Sequence, residues 1–188
     1  MYRYTNELLF NIWKIGHNND KHVKGNEKDV KLMDKEEQLL NEIRQVYNKI
    51  VLLNKPIMEQ ELAGYTSGEV HCIQEIGRHA KPNVSDLSYN MFMTRGGISK
   101  LTKKLIDKDA IQRYQDEHNK KEVYFKLTDK GTAIFDKHES LHQQFRERDA
   151  EVFDQVTDEQ YEVMLSFFEK YNQHLTEEIE GKGTQKNN

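Results

Sequence analysis

One cysteine and two prolines are all that this chain of 188 residues holds of either type. The lone thiol, Cys72, excludes an internal disulfide framework and fits a reducing, cytoplasmic setting. The prolines, Pro56 and Pro82, leave long stretches in which helices can run unbroken. No apolar run approaches the roughly 18 residues that a membrane span requires, so no membrane partner is expected. The opening MYRYTNELLFNIWKIG lacks a basic segment followed by an apolar one, so no secretion leader is expected. Apolar residues are scarce as well, at 36% against 32% charged. That is little for a compact monomer. It suits an elongated helical protein that completes its core with a second copy. The net charge of −4 argues weakly against nucleic acid, but it is unevenly spread. Between Arg95 and Lys126, nine Lys and Arg stand against five Asp and Glu. Phosphate responds to such a local field rather than to the chain total.

The first thirty-odd residues are polar, with one aromatic-rich patch (Leu8, Leu9, Phe10, Ile12, Trp13) before a linker-like HNNDKHVKGNEKD. From 34 to 54, Leu39, Ile43, Val46, Tyr47, Ile50 and Leu53 recur at three and four, which predicts an amphipathic helix interrupted by Pro56. In YTSGEVHCIQEIG, Thr66 and Glu69 form a capping-box pattern and Gly77 can close the helix. VSDLSYNM is short and helical, with Val84, Leu87 and Met91 on one face. A tight corner at Phe92 and Met93 follows.

Thr94 then caps RGGISKLTKKLIDK. Ile98, Leu101 and Leu105 point inward, and Arg95, Ser99, Lys100, Lys103 and Lys104 are left outside. Two helices at a sharp corner, the second with an apolar inner stripe and a basic outer face, make a helix-turn-helix pattern. IQRYQDE and EVYFKLT alternate as strands, with Val123, Phe125 and Leu127 on one side. Between them, the basic HNKK makes the tip of a hairpin, a wing. Thr128 caps a long helix over about 129–151. Thr157 and Gln160 box the start of another over about 158–179, with Met164, Leu165, Phe168, Tyr171 and Leu175 as its apolar stripe.

This order resembles the MarR family of bacterial transcription regulators. The stretch that carries the likeness is MTRGGISKLTKKLIDKDAIQRYQDEHNKKEVYFKLTDKG, with a recognition-helix serine at Ser99, a basic wing, and an LT..G start to the next helix. The resemblance covers about residues 36–178. It implies a mostly α fold with a small β-wing: a winged helix-turn-helix with long N- and C-terminal dimerisation helices. The implied layout is an N-terminal extension (1–33), a dimerisation helix and loop (34–64), the winged helix-turn-helix (65–131), C-terminal dimerisation helices (132–180) and a disordered tail (181–188). Two departures stand out. Phe92 occupies a corner where a small residue is usual, and Asn119, Lys120 and Lys121 replace the D-x-R signature of many wings. The implied activity is that of a homodimeric repressor, not an enzyme, on a pseudo-palindromic double-stranded operator. Expected contacts are Thr94, Arg95, Gly96, Ser99, Lys100, Lys103 and Lys104 from the helix, and His118, Asn119, Lys120 and Lys121 from the wing.

One motif is left over. HESLH, residues 138–142, has the H-E-x-x-H spacing that puts two histidines on one helix face, with a glutamate between them as the general base of a zinc peptidase. A peptidase also needs a third ligand and a substrate cleft, and it usually wants partly apolar neighbours; here Asp136, Lys137, Gln143 and Gln144 flank the motif, and the helix emerges straight from the wing. The family resemblance offers another use. A zinc-sensing branch, the AdcR and ZitR type, joins a histidine near the start of the second helix to two histidines on the helix after the wing. His71, His138 and His142 match those places. The resemblance implies a fourth ligand from the preceding loop, Glu59 or Glu61, with Glu59 favoured. Val70 and Lys137 stand where that branch draws carboxylates for a second site, so one zinc site per subunit is implied. The competing expectations are a MarR-type regulator released from DNA by an aromatic or lipophilic ligand near Tyr47, Tyr65 and Phe135, and thiol sensing by Cys72.

Overall fold

The computed structural model describes residues 35–117 and 119–184. The N-terminal aromatic patch, His118 and residues 185–188 lie outside them. By backbone contacts the chain divides into two compact units, residues 1–48 and 49–188. The architecture below is that of the second. Among the described residues, no helix is long and apolar enough to cross a membrane.

Helix α1 spans Lys35–Glu61 and passes straight through Pro56, where the sequence predicted a stop. Proline removes the N–H that the Leu52 carbonyl would accept. Leu52 is 75% exposed, so water can take that carbonyl and the helix continues. Gly64, at φ 92, then turns the chain. Helix α2 (Ser67–Arg78) starts on a complete capping box. The Thr66 N–H donates to Glu69 Oε2 at 2.7 Å, and the Glu69 N–H donates to Thr66 Oγ1 at 3.3 Å. Gly77 does not close α2; it lies in the last turn. A Cβ there would sit 2.6 Å from the Phe135 ring, so its absence lets the helix after the wing pack close.

Helix α3 (Val84–Asn90) is capped by Asn83, whose side chain accepts from the N–H groups of Ser85 and Asp86. The corner after α3 is a Schellman turn. The Met93 N–H donates to the Ser88 carbonyl at 3.1 Å and the Phe92 N–H to the Tyr89 carbonyl at 3.2 Å, with Phe92 at φ 50 between them. Helix α4 (Arg95–Asp107) ends in a second turn of the same kind. There Ala110 donates to Leu105 and Asp109 to Ile106, with Asp109 at φ 56.

Strands β1 (Ile111–Asp116) and β2 (Asn119–Leu127) pair antiparallel as the wing. The predicted inward side of β2 is met only near its base. Phe125 is buried and Leu127 half-buried, whereas Val123 is exposed, because the outer hairpin has left the core. The wing is tied back where the Phe125 N–H donates to the Pro82 carbonyl at 3.0 Å and Lys81 pairs with Asp116.

Helix α5 (Asp129–Phe153) and helix α6 (Asp158–Thr184) complete the chain. The Thr157 and Gln160 capping box at the entry to α6 is present in both directions. Helix α6 runs four residues into the tail expected to be disordered. No proline follows Leu175, and nothing in EEIEGKGT forces a stop.

The main core joins α2 (Cys72, Ile73, Ile76), Leu87, the inner stripe of α4 (Ile98, Leu101, Leu105), Ala110, Ile111 and Phe125. Each Ile, Leu or Phe buried there stabilises by about 1.5–3 kcal/mol. A second cluster of Leu62, Val70, Leu141 and Phe145 joins the end of α1, α2 and α5. Tyr65 touches both clusters.

Candidate nucleic-acid interface and histidine cluster

The inner stripe of α4 fixes the rotation of the helix, so its other side must face outward. Arg95, Gly96, Ser99, Lys100, Lys103 and Lys104 are all exposed, as the sequence predicts. Thr94 spends its hydroxyl on the cap, accepting from the Gly97 N–H at 3.1 Å. A Cβ on Gly96 would meet nothing within 4 Å, so backbone there is open to approach. On the wing, Lys120 and Lys121 are exposed. Asn119 is half-buried and occupied, donating to the Tyr124 hydroxyl at 3.3 Å and accepting from the Lys121 N–H at 3.2 Å. His118, also expected to make contacts here, lies outside the described residues. Arg113, exposed on β1, adds a positive charge to the wing. The sequence reading missed it because it considered the hairpin tip and not the strand.

Lys108 is the lysine of this run that does not face out. Its Nζ donates to Glu69 Oε2 at 2.9 Å and to the Gly64 carbonyl at 2.7 Å, and it lies 4.8 Å from the Tyr65 ring centre. Glu69 is only 2% exposed. Burial by itself would raise its carboxyl pKa, but the hydrogen bonds from Lys108 and Thr66 outweigh it and the net shift is downward.

The histidines come together across α2 and α5. His138 Nε2 and His142 Nε2 stand 3.1 Å apart, with ring centres at 4.4 Å, and the His71 ring centre is 6.3 Å from that of His138. His138 is buried. Its Nδ1 has no hydrogen-bond partner, the nearest carboxylate oxygen, Glu139 Oε1, being 3.9 Å away. Burial, and after it the neighbouring His142 and His71, push the His138 pKa down to about 4. Burial is also the main cause of the lowered pKa of half-buried His142 and of His71, although His71 as a whole residue is exposed. A metal binds imidazole in its neutral form, which these downward shifts favour.

The fit to a metal is nonetheless incomplete. Glu59, the favoured carboxylate, is 69% exposed at its side chain and pairs with Lys55 at 3.8 Å. Glu61 pairs with Lys137 at 2.5 Å. Among the described residues, no group of three or more His, Cys, Asp and Glu is placed to hold a metal ion. The described side chains do not supply the four-ligand set.

Glu139, the central residue of HESLH, is engaged elsewhere. Its Oε1 accepts from Gln74 Nε2 at 3.2 Å and from an Arg78 guanidinium nitrogen at 3.0 Å. Burial opposes the shift, but these donors hold its carboxyl below the usual range. A carboxylate tied in this way is a poor base. Of the ring residues expected near an organic ligand, Tyr65 and Phe135 are partly buried against the main core. Tyr47 belongs to the first unit and is exposed. Cys72 is fully buried.

Comparison with known proteins agrees with this geometry. The MarR family model matches residues 65–123, which run from the start of α2 through most of the wing. The HTH-type transcriptional regulator PchR of Bacillus subtilis is 36% identical over 115 residues, covering 61% of this chain and 66% of PchR. The uncharacterized HTH-type transcriptional regulator YhjH of the same organism is 32% identical over 123 residues, covering 62% of this chain and 68% of YhjH. Among solved structures, Streptococcus pneumoniae FabT in complex with DNA superposes with a TM-score of 0.63 at 23% identity, covering 74% of this chain and 97% of FabT. The outward basic face, the tied-back wing and these likenesses converge: the chain belongs to the MarR family of DNA-binding, winged-helix transcription regulators, which are not enzymes.

Proposed function

We propose that this chain acts as a homodimeric repressor on a pseudo-palindromic operator, with one α4 entering the major groove of each half-site. The observation that carries the reading is the division of α4: Ile98, Leu101 and Leu105 buried, Arg95, Lys100, Lys103 and Lys104 exposed. A surface of that kind meets phosphate while the helix N-terminus approaches base edges. FabT, of the same fold, is solved in complex with DNA, which supports DNA as the partner here. The dimer is supported by apolar faces left open on the long helices. Leu165 is 62% exposed, Phe168 44% and Ile179 56% on α6, and Leu53 is 56% exposed on α1. Faces of this kind are ordinarily covered by protein.

The test is sedimentation together with duplex binding at several salt concentrations. A dimer is expected. Replacing Lys103 and Lys104 by Ala should lower the slope of log affinity against log salt by about 2. A monomer, or a protein that ignores duplex DNA at low ionic strength, would sink the reading.

For control, the convergence of His138 and His142 favours a divalent metal such as zinc, with His71 as a further ligand. Bound there, it would supply a cross-link between α2 and α5. Native mass spectrometry of the protein with zinc checks this, using the His138→Ala, His142→Ala double variant as reference. Equal binding by both proteins removes the metal. Release of operator by an apolar aromatic compound, with no effect of a chelator, points to the organic-effector mode instead.

A further inference from the structure

Phe92 fits its place in the fold poorly. It stands at the left-handed position of the Schellman turn between α3 and α4, at φ 50, where a residue without a Cβ is favoured. Its ring is 72% exposed, so packing does not offset the strained backbone. Its neighbours are placed differently. Met93 is half-buried and packs against the main core. At the equivalent position of the second turn, Asp109 has a short polar side chain that tolerates this backbone region. An aromatic ring in the left-handed region and in water is unfavourable for the free protein on both counts.

Its location suggests a use. Phe92 lies two residues before the Thr94 cap and three before Arg95, at the end of α4 that approaches base edges in a helix-turn-helix. The four exposed cations of α4 can meet phosphate, which positions without reading sequence, or guanine edges; neither contact reads thymine. Gly96 and Gly97 bring no side chain and the Thr94 hydroxyl is spent on its cap, which leaves Ser99 and Phe92 as the exposed uncharged side chains at this end. An apolar group entering a major groove has one distinctive feature to recognise, the C5-methyl of thymine. We infer that Phe92 is a specificity-determining residue that contacts a thymine methyl in each half-site. The inference rests on the DNA-binding reading above and names part of what that surface recognises.

The probe is a duplex that the wild-type protein selects from a random library, with each thymine replaced singly by deoxyuridine, which lacks only the methyl. Binding is followed by fluorescence anisotropy. One thymine per half-site is expected at which the wild type loses about 3- to 10-fold in affinity. Phe92→Gly should bind the thymine duplex as weakly as the wild type binds the uridine duplex, and should not distinguish the two. Its salt slope should be unchanged, because no phosphate contact is lost. Its melting temperature should rise by about 2–4 °C, because the strain is relieved. Phe92→Asn, which also suits the left-handed region, should behave in the same way. Insensitivity of the wild type to every methyl overturns the inference, as does a Phe92→Gly protein that still senses the methyl. A lower melting temperature with unaltered preference makes Phe92 a packing residue and overturns it too. A wild type that selects no duplex at all removes the DNA-binding reading, and this inference with it, whereas the other failures leave that reading standing.

Discussion

Lys108 Nζ and Glu69 Oε2 lie 2.9 Å apart, joining the end of α4 to the first turn of α2. Glu69 also completes the Thr66 capping box, so one carboxylate serves both elements. Removing the cation leaves a buried anion with Thr66 as its remaining donor. Lys108→Met should therefore destabilise by about 1–3 kcal/mol, less than for a fully buried pair because Lys108 is partly in water. Lys103→Met, on the outer face of the same helix, should cost no more than about 0.5 kcal/mol. Urea denaturation of the two variants makes the comparison. The Glu69 pKa is depressed, so its contribution is present above the ordinary carboxylate value of 4.5 and is lost as pH falls through the lower folded value. Glu69→Gln should remove that part of the acid sensitivity.

The histidine cluster predicts a second and separate pH dependence. The folded His138 pKa is about 4 against 6.5 for a free histidine, so between those values the unfolded chain binds the extra proton. Stability from this group is complete above pH 6.5 and falls as pH drops towards 4, by an amount on the order of 3 kcal/mol. Denaturation midpoints measured across that range should slope upward with pH in the wild type. In His138→Gln the slope should be shallower, and an unchanged slope would assign the dependence to other groups.

Cys72 offers a simpler expectation. It has no exposed surface, and burial, followed by the charge of Glu75, pushes its thiol pKa up to about 12. Thiolate is the reactive form, so the native protein should resist thiol reagents that modify the unfolded chain rapidly. Mild peroxide should leave duplex binding unchanged. Rapid modification of the native thiol would reopen the redox-sensor expectation.

The contrast between Lys103 and Lys108 shows how far the sequence could be read. Periodicity places every third or fourth apolar residue of α4 inward and leaves the lysines outward, and for Lys100, Lys103 and Lys104 this holds. Lys108 follows the same local pattern, yet it turns to a partner 39 residues away, which no local pattern encodes. Capping is legible for the same reason that periodicity is, because Thr66 and Glu69, like Thr157 and Gln160, are three residues apart. Pro56 misled because whether proline stops a helix depends on what can take up the freed carbonyl, and exposure decides that. The histidine spacing anticipated the proximity of His138 and His142, which share one helix. The carboxylate was expected from a loop, but Glu59 and Glu61 lie in the last turns of α1, where they pair with Lys55 and Lys137.

Gly131 tests the packing on which the wing depends. It is the glycine of the LT..G start to α5, and a Cβ built on it would lie 1.9 Å from the Ala110 carbonyl oxygen. That oxygen also accepts from the Thr128 N–H at 3.2 Å, so the backbone before β1 and the cap of α5 are locked together. The obstruction is backbone and not the end of a flexible side chain, so it cannot swing aside. Gly131→Ala must push α5 away from Ala110 or break the bond to Thr128. Overpacking of this kind costs about 1–3 kcal/mol, opposite in sign to the usual gain from replacing a helical glycine by alanine. Gly181→Ala serves as the internal reference, because a Cβ there meets nothing within 4 Å. Thermal denaturation should place Gly131→Ala well below the wild type and Gly181→Ala at or slightly above it. If both variants shift alike, the contact between Ala110 and α5 does not fix the seat of the wing.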